Sequence, residues 1–230
     1  MADALGGGTP MNFFAEAFAW IADPANASGS NGVWNRSWEH VWYTLLAVVL
    51  ASVVAIPLGY LVGHTKRGRG LVVAASGAAR ALPTLGVVTL VALIFGIGLV
   101  APMVALVLRA VPSVLAGAYA GIEAIDPRTV DAARAMGMSE WQILTRVEMP
   151  LGLPLLIGGL RSATLQVVAT ATLAAYVGAG GLGRFLFLGL KTQDYPQMLA
   201  SALLVVAIAL IMEGVFELGE RVAARRLHTK

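Results

Sequence analysis

The chain has 230 residues, is 58% hydrophobic and only 13% charged, and has a mean hydropathy of +0.78. Soluble domains are about 45–50% apolar and about a quarter charged, so this composition excludes an ordinary soluble domain and predicts an all-α integral membrane protein. The absence of cysteine excludes disulfides and thiolate chemistry, and the net charge of +3 is better interpreted through the placement of basic residues than as a sign of nucleic-acid binding.

Residues 1–40 are predicted to form an N-terminal segment that is external or interfacial. Its apolar stretch, 11–22, is too short to span a membrane and predicts an interfacial helix or a loosely ordered tail. Trp34, Trp38 and Trp42 then recur at every fourth position, which places three indoles on one helix face. An aromatic belt at the membrane interface is the favoured interpretation, and an aromatic cage for a cationic ligand is the alternative.

A transmembrane domain is predicted over residues 41–222, followed by a cytoplasmic tail at 223–230. Pro83 should kink the second span, and Gly96 and Gly98 mark the turn that follows it. The fifth span should continue as a charged helical end. The five predicted spans lie at about 41–63, 71–96, 101–122, 151–177 and 198–216.

The loop at 126–150 is polar in a chain that is otherwise apolar, and its boundaries follow from capping chemistry. Asp126 before Pro127 predicts a helix start, and Gly137 predicts the positive φ that closes this helix. Ser139 and Gln142 have the spacing of a capping box, which predicts a second short helix running until Pro150. So short a pair is marginal alone and should be held by something else.

The placement of lysine and arginine predicts the orientation of the spans. With five spans, one side carries ten basic residues: Lys66, Arg67, Arg69, Arg128, Arg134, Arg146, Arg221, Arg225, Arg226 and Lys230. The other side carries only Arg36, Arg184 and Lys191. The positive-inside rule therefore predicts that the 126–150 loop and the C-terminus are cytoplasmic and that the N-terminus is outside.

Polar residues within the spans are candidates for a translocation path. Arg80, Arg109 and Arg161 should face other helices, a wet cavity or carboxylates, because charge facing lipid is costly. Structural pairing and a place on the path both remain open for them. Span four also carries a polar stripe, which is typical of either interhelical hydrogen bonding or pore lining. The candidate path residues are Arg161, Ser162, Gln166 and Thr170.

Other chemistry is weakly indicated. The glycine-rich 177–183 segment follows a membrane span rather than a strand, and no lysine follows a glycine, so no ATP site is expected in this chain. It predicts a tight turn or a re-entrant segment. The three histidines are far apart along the chain, which does not favour a metal site. Glu213, Glu217 and Glu220 share one side of the last helix and predict an ion-pair face, with Glu217 paired to Arg221.

The loop is where the chain resembles a known family. Asp131-Ala132-Ala133, then Gly137 and a closing Met149-Pro150, resemble the EAA loop of binding-protein-dependent ABC importer permeases, with Asp for the usual Glu and Met for the usual Leu. Further stretches are similar to osmoprotectant permeases for glycine betaine, carnitine or choline: 95–98, 121–127, 133–138, 142–144, 159–163 and 171–183. The glycine-rich ending is also similar to methionine-importer permeases.

The resemblance implies a type I ABC importer permease fold in a bacterial inner membrane. It implies two paired permease chains, cytoplasmic ATPase subunits that carry ATP and Mg²⁺, and an external solute-binding protein. The coupling residues carried over to this chain are Asp131, Ala132, Ala133, Gly137, Trp141 and Leu144, with Ile143 and Val147 as further apolar anchors. This chain itself would hold no cofactor and catalyse no reaction.

Two other classes of protein fit the sequence less well. An ion-coupled secondary transporter should carry carboxylates deep in its spans, and these spans have almost none. An intramembrane enzyme would need a paired Asp, a Ser/His or a metal motif, and the sequence supports none of them. A methionine or other amino-acid importer is the alternative within the same family.

Overall fold

The structure is a computed structural model that describes residues 10–228, with side chains described for 12–220. Every regular element in this range is helical. A π-helical turn at Leu144–Glu148 and a 3₁₀ segment at Ala171–Val177 interrupt the α-helices. The α-helices are α1 (Pro10–Ala22), α2 (Pro24–Ala27), α3 (Val33–Thr65), α4 (Arg69–Ala81), α5 (Thr84–Phe95), α6 (Val100–Glu123), α7 (Pro127–Ala135), α8 (Glu140–Ile143), α9 (Met149–Thr170), α10 (Gly183–Thr192) and α11 (Tyr195–His228).

Within the described residues, four helical stretches are long and apolar enough to cross a membrane: Val33–Thr65, Val100–Glu123, Glu140–Val177 and Tyr195–Glu220. A fifth span is present if α4 and α5 together form one bent span. The predicted all-α membrane fold is thus confirmed, with four or five spans. Parts of the predicted 1–40 and 223–230 segments, namely residues 1–9 and 229–230, lie outside the described residues.

Two helices differ from the sequence-based prediction. Helix α3 begins at Val33, eight residues before the predicted first span, so Trp34, Trp38 and Trp42 belong to it and all three are exposed. The predicted second span is not one kinked helix, because α4 ends at Ala81 and α5 begins at Thr84. Leu82 has an extended backbone with ψ of 129°, as the steric effect of the following Pro83 requires.

The described residues form two compact units, and each is described by itself. Unit 1 comprises the described residues up to Thr44, together with Leu85–Val104 and Val168–Leu210. Two buried hydrogen bonds from α11 fix helix α10 and the turn that precedes it. Gln197 Nε2 donates to the Phe185 carbonyl at 2.9 Å, and Ser201 Oγ donates to the Leu182 carbonyl at 2.8 Å. The Trp20 ring of α1 packs edge-on against Phe185 with centroids 5.1 Å apart. The apolar N-terminal stretch is therefore a packed helix rather than a loose tail.

Unit 2 comprises Leu45–Thr84, Ala105–Val167 and the described residues from Ile211 onward. Its core depends on glycines that let α6 and α9 approach each other backbone to backbone. A Cβ built on Gly117 would lie 2.7 Å from Gly159 Cα, and one built on Gly121 would lie 2.5 Å from the Gly152 carbonyl oxygen. Small residues at such crossings allow close van der Waals packing, which holds membrane helices together where the hydrophobic effect between them is absent.

Candidate functional site

The polar 126–150 loop folds as its capping residues predict. Asp126 Oδ1 accepts from Arg128 N–H at 2.9 Å, and Pro127 takes the first position of α7. Ser139 and Gln142 form a reciprocal capping box at α8, with Gln142 Oε1 accepting from Ser139 N–H at 2.9 Å. Both helix starts are therefore confirmed, and both rest on side chains within three residues of the backbone groups that they satisfy.

Gly137 forms the elbow between α7 and α8. Its φ of +83° lies in the left-handed region, as predicted. Met138 N–H donates to the Ala133 carbonyl at 3.2 Å, and Gly137 N–H donates to the Arg134 carbonyl at 2.9 Å. This pair of bonds is the Schellman motif, which closes a helix and turns the chain sharply.

The prediction that Pro150 ends the second helix is wrong. The chain runs from α8 through the π-helical turn at Leu144–Glu148 directly into α9, which begins at Met149. Met149 N–H donates to the Leu144 carbonyl, five residues back, so the hydrogen-bond register shifts just before the proline. Pro150 then occupies the first turn of α9, where its missing N–H is tolerated.

A polar cluster, Arg134, Glu140, His64 and Glu148, ties the elbow to the end of α3. The Arg134 guanidinium donates to both Glu140 oxygens, at 2.8 and 3.1 Å, and bridges α7 to α8 across Gly137. The hydrogen bonds to Glu140 raise the pKa of Arg134, so the guanidinium stays protonated. His64 lies between the two carboxylates, with Nδ1 2.5 Å from Glu148 and Nε2 3.3 Å from Glu140. The pairing of His64 with Glu148 leaves no local signal in the sequence, because 84 residues separate them.

The structure divides the predicted coupling residues between exposed and buried positions. Asp131, Ala132, Gly137 and Trp141 are exposed, and the Trp141 side chain is 72% exposed although it is large and apolar. We call these four residues the coupling face, after the role that is predicted for them. Leu144 and Val147 are half-buried. Ala133 and Ile143 are only 3% and 0% exposed, so they pack within this chain and Ile143 cannot anchor a partner as predicted.

Arg161, Ser162 and Gln166, three of the four candidate path residues, engage partners inside unit 2. Arg161 donates to Glu213 on α11 through two nitrogens and to Glu220 at 3.1 Å.

Gln166 Nε2 donates to Ser113 Oγ on α6 at 2.8 Å and to Ser162 Oγ at 2.9 Å. Thr170 ends α9 and is half-buried. Structural pairing therefore accounts for Arg161, and interhelical hydrogen bonding accounts for Gln166; contact of these residues with a solute stays a prediction.

The acidic side of α11 was only partly predicted. Glu213 and Glu220 face Arg161, a partner 52 residues from Glu213 that sequence spacing did not reveal. The predicted partner of Glu217, Arg221, has a side chain outside the described set. Of the other in-span arginines, Arg80 is exposed, and Arg109 is half-buried with an Nε that has no hydrogen-bond partner.

No three His, Cys, Asp or Glu side chains come together as a metal site anywhere in the described part of the chain. His40 is fully buried in unit 1, where Nε2 lies 2.9 Å from the Val168 carbonyl. His40 therefore packs inside unit 1, and His64 belongs to the polar cluster.

The family model described as binding-protein-dependent transport system inner membrane component matches residues 55–226, which include the coupling face and both of its helices. The chain belongs to this family. It is accordingly a multi-pass inner-membrane permease component of a transporter.

Curated relatives of this permease cover most of its length. It is 32% identical to the glycine betaine/carnitine/choline transport system permease protein OpuCB of Bacillus subtilis, over 81% of this chain and 86% of the relative. It is 30% identical to the choline transport system permease protein OpuBB of the same organism, with the same coverage. It is 31% identical to the osmoprotectant import permease protein OsmW of Salmonella typhimurium, over 77% of this chain and 85% of the relative.

Solved structures show the fold. An inward-facing structure of the MetNI methionine ABC transporter matches with a TM-score of 0.70 and 22% identity, covering 81% of this chain and 93% of that chain. An amino acid ABC transporter crystallised with histidines matches with a TM-score of 0.61 and 18% identity, covering 94% and 96%. The type I ABC importer permease fold is thereby confirmed, and at these identities the likeness says nothing about the solute.

Proposed function

We propose that this permease imports a compatible solute with a quaternary ammonium group, such as glycine betaine, carnitine or choline. The solute would be delivered by an external binding protein, and transport would be driven by separate cytoplasmic subunits that bind ATP and Mg²⁺. The names of the relatives OpuCB, OpuBB and OsmW support this solute class. A methionine or other amino-acid importer is supported only by fold likeness to MetNI, which carries no argument about the solute.

The observation that carries the proposed mechanism is the polar cluster behind the coupling face. Arg134 and Glu140 lock the angle between α7 and α8, and His64 joins that angle to the end of α3. The π-helical turn makes α8 continuous with α9. An ATPase subunit that pulls on the coupling face would therefore move the ends of α3 and α9 together. Closure of the ATPase subunits would in this way change the positions of the membrane-spanning helices.

The proposed partners and orientation follow from exposed features and charge. The coupling face would lie in the cytoplasm against an ATPase subunit, with the C-terminus inside and the N-terminus outside, as the distribution of basic residues favours. A second permease chain, identical or homologous, would cover part of the apolar surface that α11 exposes in this chain. Exposed apolar residues of α11 include Val206, Leu210, Ile211, Val215 and Leu218.

Altering the elbow is expected to stop transport without unfolding the spans. Gly137→Pro replaces a φ of +83° with one near −65°, which the Schellman motif cannot accept, and uptake should fall at least about tenfold. Asp131→Lys removes the 3.2 Å hydrogen bond from Arg134 and reverses the charge on the coupling face, and it should reduce uptake as well. Solute uptake by the reconstituted permease, ATPase and binding protein measures both effects.

Gly137→Asn is the matched control, because asparagine tolerates the left-handed region and should retain most uptake. Membrane insertion of each variant is checked by its detergent-solubilised yield. Normal uptake by Gly137→Pro, or uptake by the permease without any ATPase subunit, would contradict the proposed function.

Trp141 is expected to dominate binding of the ATPase subunit. A large exposed aromatic side chain at the coupling face has the character of an interface hot spot, and truncation at hot spots costs at least about 2 kcal/mol. Trp141→Ala should therefore weaken ATPase binding about 30-fold in a pull-down titration. Trp34→Ala is the control, because Trp34 is 76% exposed but lies on α3 far along the chain from the coupling face. Equal loss in both variants would refute the assignment.

A further inference from the structure

The three basic residues that charge counting assigns to the outer side all line one cavity. Arg36 lies near the start of α3, and Arg184 and Lys191 lie on α10, yet the fold of unit 1 brings them together. The cavity has a volume of about 330 Å³, within the range of small-molecule sites. A side of a membrane protein that is otherwise depleted of positive charge thus concentrates its charge at one place.

Arg36 lines this cavity, but its charge is balanced by an ion pair with Glu39. The residue is 7% exposed; one terminal nitrogen donates to Glu39 at 2.6 Å and the other donates to Asn31. Glu39 also accepts from Gly181 N–H at 2.8 Å, which fixes the pair to the glycine turn before α10. The buried Arg36 Nε has no hydrogen-bond partner within the described residues.

Arg184 and Lys191 supply the uncompensated charge. Both are exposed, and their side chains form no ion pair or hydrogen bond with any residue that the structure describes. No acidic residue is among the described residues that line the cavity. Because Glu39 balances Arg36, two positive charges remain at the cavity wall, and a concave wall concentrates their field on a bound anion.

The rest of the lining is apolar and aromatic. Phe185 and Phe187 line the cavity, together with Leu188 and Ala175. The Phe185 ring is held by Trp20, and the Phe187 ring lies 5.8 Å from that of Tyr176. Aromatic rings attract methylated ammonium groups through their faces, and guanidinium and ammonium groups bind carboxylates. The lining therefore matches a small molecule that carries a carboxylate and a methylated, weakly hydrated body.

We infer that this cavity binds a zwitterionic solute through its carboxylate, with Arg184 and Lys191 as the binding residues and Phe185 and Phe187 around the quaternary ammonium group. The inference rests on the proposed function and narrows it. Glycine betaine and carnitine carry the carboxylate and bind tightly, whereas choline, which has a hydroxyl group in its place, binds more weakly. The permease chain itself then selects among solutes that share the same cationic group.

The test is solute binding by the full importer, purified with its ATPase subunits in an uncharged maltoside detergent. Glycine betaine and carnitine should bind at least about tenfold more tightly than choline in calorimetric titrations, because a charge-assisted contact is lost with choline. Arg184→Gln combined with Lys191→Gln should weaken betaine binding at least about tenfold. Arg67→Gln, at an exposed arginine in the turn between α3 and α4, is the matched control and should leave binding unchanged.

The exchange pair Arg184→Lys with Lys191→Arg keeps both charges and should retain binding, which separates loss of charge from loss of fold. Choline binding as tight as betaine binding, or betaine binding that survives the double glutamine variant, would overturn the inference. Displacement of betaine by added phosphatidylglycerol at equal affinity would assign the cavity to lipid phosphate instead. ATP-driven uptake by the wild-type importer is measured in parallel, and only its absence for every quaternary amine would contradict the proposed function.

Discussion

Replacing Gly159 with leucine is expected to abolish accumulation of the folded permease, whereas the same replacement at the adjacent Gly158 should leave folding intact. A Cβ on Gly159 would lie 2.8 Å from both Gly117 Cα and the Ser113 carbonyl oxygen, and both are backbone atoms that cannot move without separating α6 from α9. A Cβ on Gly158 would meet nothing within 4 Å. The two glycines are neighbours on one helix, so helix propensity and membrane depth are nearly matched.

The smaller substitution gives a graded result. Gly159→Ala should lower the free energy of unfolding by about 1–3 kcal/mol, the usual effect of overpacking. Gly158→Ala should be neutral or slightly stabilising, because alanine favours helix by up to about 1 kcal/mol over glycine. Fluorescence-detected melting in detergent compares the two alanine variants, and the yield of folded permease compares the two leucine variants. Equal melting temperatures for Gly159→Ala and Gly158→Ala would show that the backbone contact between α6 and α9 does not limit stability.

Removing His64 is expected to cause the largest loss from a single polar change. Glu148 is 4% exposed and its carboxylate is bonded to His64 at 2.5 Å, so His64→Leu leaves a buried carboxylate without its partner. Breaking a buried pair in this way typically costs roughly 3–5 kcal/mol. Uptake should fall with stability, because His64 also contacts Glu140 beside the elbow and so joins the elbow to α3. Melting and uptake assays on the reconstituted importer measure the two effects.

A double-mutant cycle isolates the pair. Combining His64→Leu with Glu148→Leu removes both polar groups and should recover much of the lost stability, because the desolvation of an unpaired charge is avoided. It should not recover uptake, because the tie to the elbow stays broken. Glu140→Gln is the control: Glu140 is exposed and 3.3 Å from His64, so the melting temperature should change much less. Additive effects of the two leucine substitutions would refute the pairing.

The parts of the fold that were predicted correctly depend on contacts close in sequence. Asp126 and Ser139 satisfy backbone groups two or three residues away, and Gly137 needs only its own φ, so the capped helices and their elbow could be derived from local chemistry. The break at Pro83 was underestimated as a kink, because proline restricts the residue before it as well as itself. The helix through Pro150 was missed because a π-helical turn leaves no clear mark in the sequence.

Contacts between distant residues were beyond such reasoning. From the sequence alone, Arg161 could pair with any of several carboxylates. The packing of α9 beside α11 selects Glu213 and Glu220 as its partners. His64 contacts Glu148 because packing likewise places the end of α3 beside the π-helical turn. The sequence therefore placed Arg161 in a membrane helix without identifying its partners, and it did not show that Ile143 is fully buried.

By itself, the sequence determined that this is an all-α membrane permease and where its polar 126–150 loop begins and turns. Hydropathy, helix caps and charge counts are additive or local properties, so they survive without a fold. Only the tertiary structure decided that Arg36, Arg184 and Lys191 share one cavity and that His64 joins the elbow to α3. Those juxtapositions arise from helix packing, which depends on side-chain shape across long sequence separations.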